Sequence, residues 1–263
     1  MNGSVTAIVL AGSRGPADPV AAAAGVSHKA LAPVAGVPML ARVLATLAAV
    51  PRVGRTLVAI ERPELLGAHP AFVPFLSGGA VTVLPAARTP SLSVLAALDA
   101  VEAPFPCLVT TADHPLLTPE MVEHFWTRLP PDADAAAALA RAETIRAAYP
   151  DSRRTYLRFK DGAYSGCNLF ALRTPAARSA VGFWRRIEQE RKRPWRMVRL
   201  LGPAHLLSFA LGRLTLEAAV AALGRRTGAA LAAVEMPFAD AAVDVDRPED
   251  LALAEAVLAR RKP

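Results

Sequence analysis

At 263 residues the chain is long enough for one large α/β domain with an insertion or for two small domains, and with 53% hydrophobic and 20% charged residues it is globular rather than disordered. No basic region, apolar core and cleavage site mark a secretory signal, and no uninterrupted apolar run reaches the ~20 residues that a spanning helix needs, so a cytoplasmic location is the expectation. The formal charge of +7 is concentrated between 185 and 226, where ten Arg or Lys stand against three Glu, and the near-neutral remainder argues against nucleic acid as a partner.

The chain opens on Ala7-Ile8-Val9-Leu10, an apolar run rich in β-branched residues that a glycine stops, which predicts a buried strand. The loop Ala11-Gly12-Ser13-Arg14-Gly15 follows. Two glycines let its backbone turn sharply and bring N–H groups close to a ligand, while Arg14 and the later Lys29 offer positive charge to phosphate oxygens. Neither G-x-x-x-x-G-K-[ST] nor G-x-G-x-x-G follows the strand, so the two most familiar phosphate loops are excluded. Residues 16–27 form an alanine-rich stretch between loop and lysine that suits a lid.

Leu40, Val43, Leu44 and Leu47 share one face of a helix predicted over 39–49. Strands are predicted at 55–60 and 81–84, and their alternation with helices points to parallel pairing through crossovers. Ser91 and Ser93 then precede an alanine-rich helix running through Ala100, where they suit ordinary capping as well as contact with an anionic or polar ligand edge. The strand at 107–111 runs into Ala112-Asp113-His114-Pro115-Leu116-Leu117. A carboxylate at the C-terminal end of a parallel strand stands at the crevice where such sheets bind ligands, although capping of the next turn gives the same pattern. Cys107 and Cys167 have no metal-site spacing and are expected to be free thiols.

Further on, a helix is predicted over 118–129 with Pro119 in its first turn. Two or three short amphipathic helices, basic on one side and carrying Trp195, Phe209 and leucines on the other, are predicted across 185–228. Such helices can lie in a membrane interface, roof a pocket or form a dimer contact. A strand at 231–237 and a helix over 249–260, opened by Pro248 and Glu249, complete the chain.

The order L-A-G-x-R-G, then Lys-Ala-Leu-x-Pro-Val-x-Gly-x-Pro-Met-Leu, resembles the MobA-like NTP transferases, and the resemblance covers roughly 5–180 and 230–260. It implies a three-layer Rossmann-like α/β fold of the nucleotide-diphosphosugar transferase (GT-A) type, a mostly parallel sheet in one domain over 1–263, with the basic helices as an insertion at about 185–228. It also implies a Mg²⁺-dependent nucleotidyltransferase that moves NMP from an NTP, GTP or CTP, to a phosphate-bearing acceptor and releases pyrophosphate. Carried over residue by residue, Leu10, Ala11, Gly12, Gly15, Lys29, Ser91 and Ser93 would bind nucleotide, with Lys29, Arg14 and Asp113 serving the transfer. Asp113 and Asp246, the latter in Asp244-Val245-Asp246-Arg247-Pro248-Glu249-Asp250-Leu251, would hold the metal. Gly166 and Asn168 of Ser165-Gly166-Cys167-Asn168 would border the acceptor, although Asn168 reads equally well as a bridge between loops. The long 16–27 linker and the basic segment depart from the family pattern. An amphiphilic acceptor, peripheral contact with the inner membrane face and a homodimer are the partners this segment suggests. A GT-A glycosyltransferase and a non-catalytic, membrane-associated nucleotide-binding domain are the rival readings.

Overall fold

The computed structural model describes residues 4–13, 15–151, 154–190 and 202–261, so Arg14 and the stretch 191–201 with Trp195 lie outside the described residues. The chain divides into two units, Met1–Glu123 with Val243–Pro263, and His124–Ala242.

The first unit begins with β1 (Val5–Leu10), buried at all six positions, as a strand covered on both faces must be. Helix α1 (Pro19–Ala23), the short hairpin β2 (Pro33–Val34) and β3 (Val37–Pro38), and α2 (Met39–Ala48) lead to β4 (Val53–Ile60). Then come α3 (Glu64–Gly67), α4 (Val73–Ser77), β5 (Val81–Pro85), α5 (Pro90–Asp99) and β6 (Cys107–Thr111). All pairings of the main sheet here are parallel, in the order β6-β1-β4-β5. The chain therefore starts beside the middle of this sheet, runs outward through β4 and β5, and returns through α5 to β6 on the other side of β1. Such a reversal opens a crevice above the carboxyl ends of the two strands that flank it, here β1 and β6.

The core follows the predicted periodicities. Leu40, Val43, Leu44 and Leu47 of α2 are buried, as are Ile8, Val58 and Leu108 on the sheet. Burying each such side chain contributes about 1.5–3 kcal/mol. The 16–27 stretch differs from the expected lid. Asp18 accepts hydrogen bonds from the amides of Val20 (3.0 Å) and Ala21 (3.2 Å) and caps α1, whose Val20 and Ala21 are buried. An aspartate followed by proline at the first helical position is a helix start, and the alanines that follow propagate it.

In the second unit β7 (Ala135–Arg141) pairs antiparallel with β9 (Gly162–Leu172), which also carries β8 (Leu157–Phe159). The partner of β7 on its other side is β10 (Leu231–Met236), in parallel. Helices α6 (Pro119–Thr127) and α7 (Ala142–Ala148) flank β7 in sequence. Beyond β9 lie α8 (Ala177–Glu190), α9 (Pro203–Ala210) and α10 (Leu216–Thr227), and α11 (Pro248–Arg261) closes the chain within the first unit. The start of α10 is doubly satisfied, because Thr215 Oγ1 accepts from the Ala218 amide and Asp161 Oδ1 accepts from the Leu216 amide. No helix among the described residues is long and apolar enough to cross a membrane.

Cys107 in β6 and Cys167 in β9 are buried free thiols. Burial pushes the Cys167 thiol up to about 12, despite a hydrogen bond at the Ala140 backbone that works the other way. Native protein is therefore expected to show no reaction with a disulfide reagent at pH 8, and both thiols should react after addition of guanidinium. Rapid labelling of either thiol in native protein would contradict this packing.

Candidate functional site

Pairing continues one step past the ends of β1 and β6, where the Ala112 amide donates to the Leu10 carbonyl at 2.9 Å. The loop at Ala11, Gly12 and Ser13 and the acid at Asp113 therefore leave the sheet side by side, at the reversal of strand order. Beside Asp113 runs the segment 243–246, tied down by the Val245 amide, which donates to the Asp113 carbonyl at 2.8 Å. Asp250 Oδ2 accepts from the amides of Asp246 (3.1 Å) and Arg247 (2.9 Å), so that Asp250 caps the start of α11 and fixes the turn that carries Asp246.

Lys29 joins the two acids. Its Nζ donates to Asp113 Oδ2 at 2.7 Å and to Asp246 Oδ1 at 2.8 Å. The lysine side chain is 10% exposed, that of Asp113 21% and that of Asp246 59%. Burial opposes the lysine charge, but the attraction and hydrogen bonds of Asp113 and Asp246 together outweigh it and hold the ammonium above its usual pKa.

The lysine is held in place by residues that sequence reasoning passed over. His28 caps the single turn Lys29–Leu31, accepting from the Ala30 amide through Nδ1 at 3.1 Å. That bond leaves the proton on Nε2, which donates to Glu61 Oε2 at 3.1 Å. The other oxygen of Glu61 accepts from the Ser13 amide at 3.0 Å. A Cβ at position 12 would stand 3.3 Å from that same oxygen, tighter than ordinary contact, so glycine is the residue that lets the carboxylate approach the loop. One network therefore runs from the loop through Glu61 and His28 to the turn that presents Lys29. Glu61 stands just past the end of β4, and a carboxylate at a strand's carboxyl end was a signal available in the sequence. Its partners, 33 and 48 residues away, were not.

Three buried polar atoms at this edge, Ser13 Oγ, Thr111 Oγ1 and Asp113 Oδ1, have no hydrogen-bond partner among the described residues. Buried polar groups are almost always satisfied, so a cluster of orphans at the mouth of a crevice marks a place for a ligand. Asp113 Oδ1 also bears on metal binding. No group of three or more His, Cys, Asp or Glu among the described residues is arranged to hold a metal, yet Mg²⁺ is commonly held by one or two carboxylates with phosphates and waters completing its shell. Asp113, with one oxygen unclaimed, and Asp246 fit that kind of site.

The structure thus brings together Lys29, Asp113, Asp246 and the loop residues Leu10, Ala11 and Gly12. Gly15, at φ 69°, begins a short turn over Gly15–Ala17, and Arg14 lies outside the described residues. Ser91 and Ser93 are buried in the first turns of α5. Thr89, not either serine, caps that helix, and Ser93 Oγ accepts from the Ala87 amide at 2.9 Å. Gly166 and Asn168 belong to the second unit. The register of β9 against β7 shifts there, with Asn168 at φ 46°, and such irregularities re-aim side chains.

Replacing Glu61 with alanine removes an acceptor from both Ser13 and His28. The expected result is a folded protein whose melting temperature falls by about 2–4 °C, the effect of losing one or two ordinary hydrogen bonds, as read by scanning calorimetry.

The MobA-like NTP transferase domain, as a sequence profile, matches residues 7–166. Among solved structures, a hypothetical transferase from Thermus thermophilus is 34% identical, with a TM-score of 0.79 over 94% of this chain and 99% of its own. The 4-diphosphocytidyl-2C-methyl-D-erythritol synthase of Anaerococcus prevotii shares 13% identity and a TM-score of 0.61, covering 98% of this chain and 97% of its own. The CMP:2-keto-3-deoxy-manno-octonic acid synthetase, solved in complex with CTP, shares 17% identity and a TM-score of 0.59, covering 98% and 99%. At those identities the two synthetases establish likeness of fold, a mixed and mostly parallel α/β sheet of Rossmann-like type. None of the curated proteins matches the chain.

Proposed function

From the premise that this chain belongs to the MobA-like NTP transferase family, we propose that it is a Mg²⁺-dependent nucleotidyltransferase whose donor is CTP or GTP and whose acceptor carries a phosphate. The observation that carries the reading is the lysine clasped between two carboxylates at the point where strand order reverses. In this reading an acceptor phosphate oxygen attacks the α-phosphorus of the donor, a new P–O bond forms, and the bond to the β-phosphate breaks with release of pyrophosphate. An acceptor phosphate is already ionised near neutral pH, so the protein needs no strong general base. Mg²⁺, when bound, would supply charge neutralisation at the donor phosphates.

The chain's own residues then have separable tasks. Asp113 and Asp246 would hold the metal, and Lys29 would neutralise donor phosphate charge, as Arg14 would from the loop. Leu10, Ala11, Gly12 and Gly15 would follow the nucleotide with their backbone, joined by Ser91 and Ser93. Gly166 and Asn168 would border the acceptor. CTP is supported as a donor by the synthetase solved with that nucleotide. A pyrophosphate-release screen of the four NTPs with Mg²⁺ against phosphomonoester acceptors tests the assignment. Release with one NTP that depends on an acceptor supports it, and no release from any pair contradicts it.

A second observation bears on the acceptor and on a cytoplasmic protein meeting the inner membrane face. In the second unit Leu157, Leu207, Phe209 and Leu211 are all exposed, at 50%, 61%, 36% and 56%. Phe159 of β8 meets the Phe209 ring at 5.7 Å, and the Lys160 amide donates to the Leu214 carbonyl at 2.8 Å, so these residues form one surface with the exposed Arg158, Lys160 and Arg213. Apolar side chains among basic ones suit an anionic, amphiphilic partner. Co-sedimentation with phosphatidylglycerol vesicles at low salt, reversed by high salt, is the expected result. Protein that stays in the supernatant and turns over only soluble acceptors would make the surface a pocket roof or a dimer contact.

A further inference from the structure

Lys29 cannot serve the donor phosphates and both carboxylates at once. Its ammonium nitrogen lies at hydrogen-bond distance from an oxygen of each acid and so fills the space between them, where a shared cation would otherwise sit. Two carboxylates that both reach one nitrogen repel each other unless a cation stands between them. A metal ion arriving alone would have to expel that ammonium and leave it, nine-tenths buried, without an anion. A nucleotide arriving alone would bring its phosphates to a lysine already neutralised, beside two carboxylates that repel them. Only when both arrive does every charge find a partner, the metal with the acids and the lysine with the phosphates.

We infer that Lys29 is a tethered counter-ion that closes the Asp113–Asp246 pair to metal in the nucleotide-free protein, and that metal and nucleotide displace it jointly. The inference rests on the metal and nucleotide reading proposed above and adds to it a rule of binding: each ligand strengthens the binding of the other, by the same factor in both directions. Asp113 Oδ1 has a place in the exchange. It is the one oxygen of that carboxylate that the lysine leaves unclaimed, so incoming metal can touch it before the ammonium has moved.

The test is Mn²⁺ binding followed by electron paramagnetic resonance, without nucleotide, in the wild type, Lys29→Met and Lys29→Gln. Two neutral variants guard against failure of one to fold, and circular dichroism checks each. Both variants are expected to bind Mn²⁺ at least ~10-fold more tightly than the wild type, within the usual span of coupling between sites. Mn²⁺ should also raise their melting temperatures by more than it raises that of the wild type, and adding Asp113→Asn to either should abolish the gain. Equal Mn²⁺ affinity in wild type and variants, with Asp113→Asn abolishing it, overturns the counter-ion role and leaves the metal site standing. No protein-bound Mn²⁺ in any variant, with or without CTP and GTP, overturns the metal site and the inference together.

Discussion

Asp113→Ala is expected to lower pyrophosphate release by about 1,000-fold while the protein stays folded. A carboxylate that places a divalent ion on transferring phosphates is worth several kcal/mol of barrier, and each 1.36 kcal/mol is tenfold in rate. The fold should survive because the scaffold at this position is backbone. The Asp113 carbonyl accepts from the Val245 amide and the Ala112 amide donates to Leu10, and neither bond involves the side chain that is lost. Lys29 keeps Asp246 as a partner. Asp246→Ala should lower turnover in the same direction. Near-normal turnover by either variant, with an unchanged circular dichroism spectrum, would remove the two-carboxylate metal site from the account.

Lys29→Ala is expected to weaken donor binding by about 10–100-fold and acceptor binding far less. The magnitude is that of one hydrogen bond to a charged group, about 1.5–3 kcal/mol. In the wild type this benefit is reduced because the ammonium must first leave Asp113 and Asp246, so the loss lies toward the lower end of the range. The same substitution should strengthen binding of metal alone. Opposite effects on two ligands of one site are hard to produce by general damage to the fold. Unchanged donor affinity would leave Lys29 as a clasp on two acids and nothing more.

Much of the first unit was legible because its signals are local. The apolar runs at Ile8-Val9-Leu10 and 107–111 are buried parallel strands in the structure, and the helical spacing of Leu40, Val43, Leu44 and Leu47 marks the buried face of α2. Asp113 could be picked out because it sits just past a strand, and Asp246 through the resemblance of its segment to the family's D-x-D-x-P-E-D-L ending. What joins them could not. The ion pairs of Lys29 span 84 and 217 residues, and no periodicity reports such a contact. Glu61 and His28 were missed for the same reason, since each is an ordinary surface residue type until the loop and the turn come together.

Two local signals were present but outweighed. Asp18-Pro19 before a run of alanines is a capped helix start, although an alanine-rich stretch between two functional motifs also reads as a lid. At 89–93, Thr89, Ser91 and Ser93 are all competent caps, and only the backbone shows that Thr89 takes the role, with an extended conformation that the serines inside α5 do not have. In the second unit the alanines of β7 carry little strand propensity. Its burial between β9 and β10 decides the conformation there, a tertiary effect that sequence pattern does not contain.

Calorimetric titration of CTP and GTP into the protein, with and without Mg²⁺, decides whether Lys29, Asp113 and Asp246 form a joint nucleotide and metal site. One equivalent of one nucleotide is expected to bind in the presence of Mg²⁺, with binding lost on chelation of the metal, lost in Asp113→Ala and weakened in Lys29→Ala. Binding of neither nucleotide, or binding that is indifferent to Mg²⁺ and to both residues, would rule out such a site.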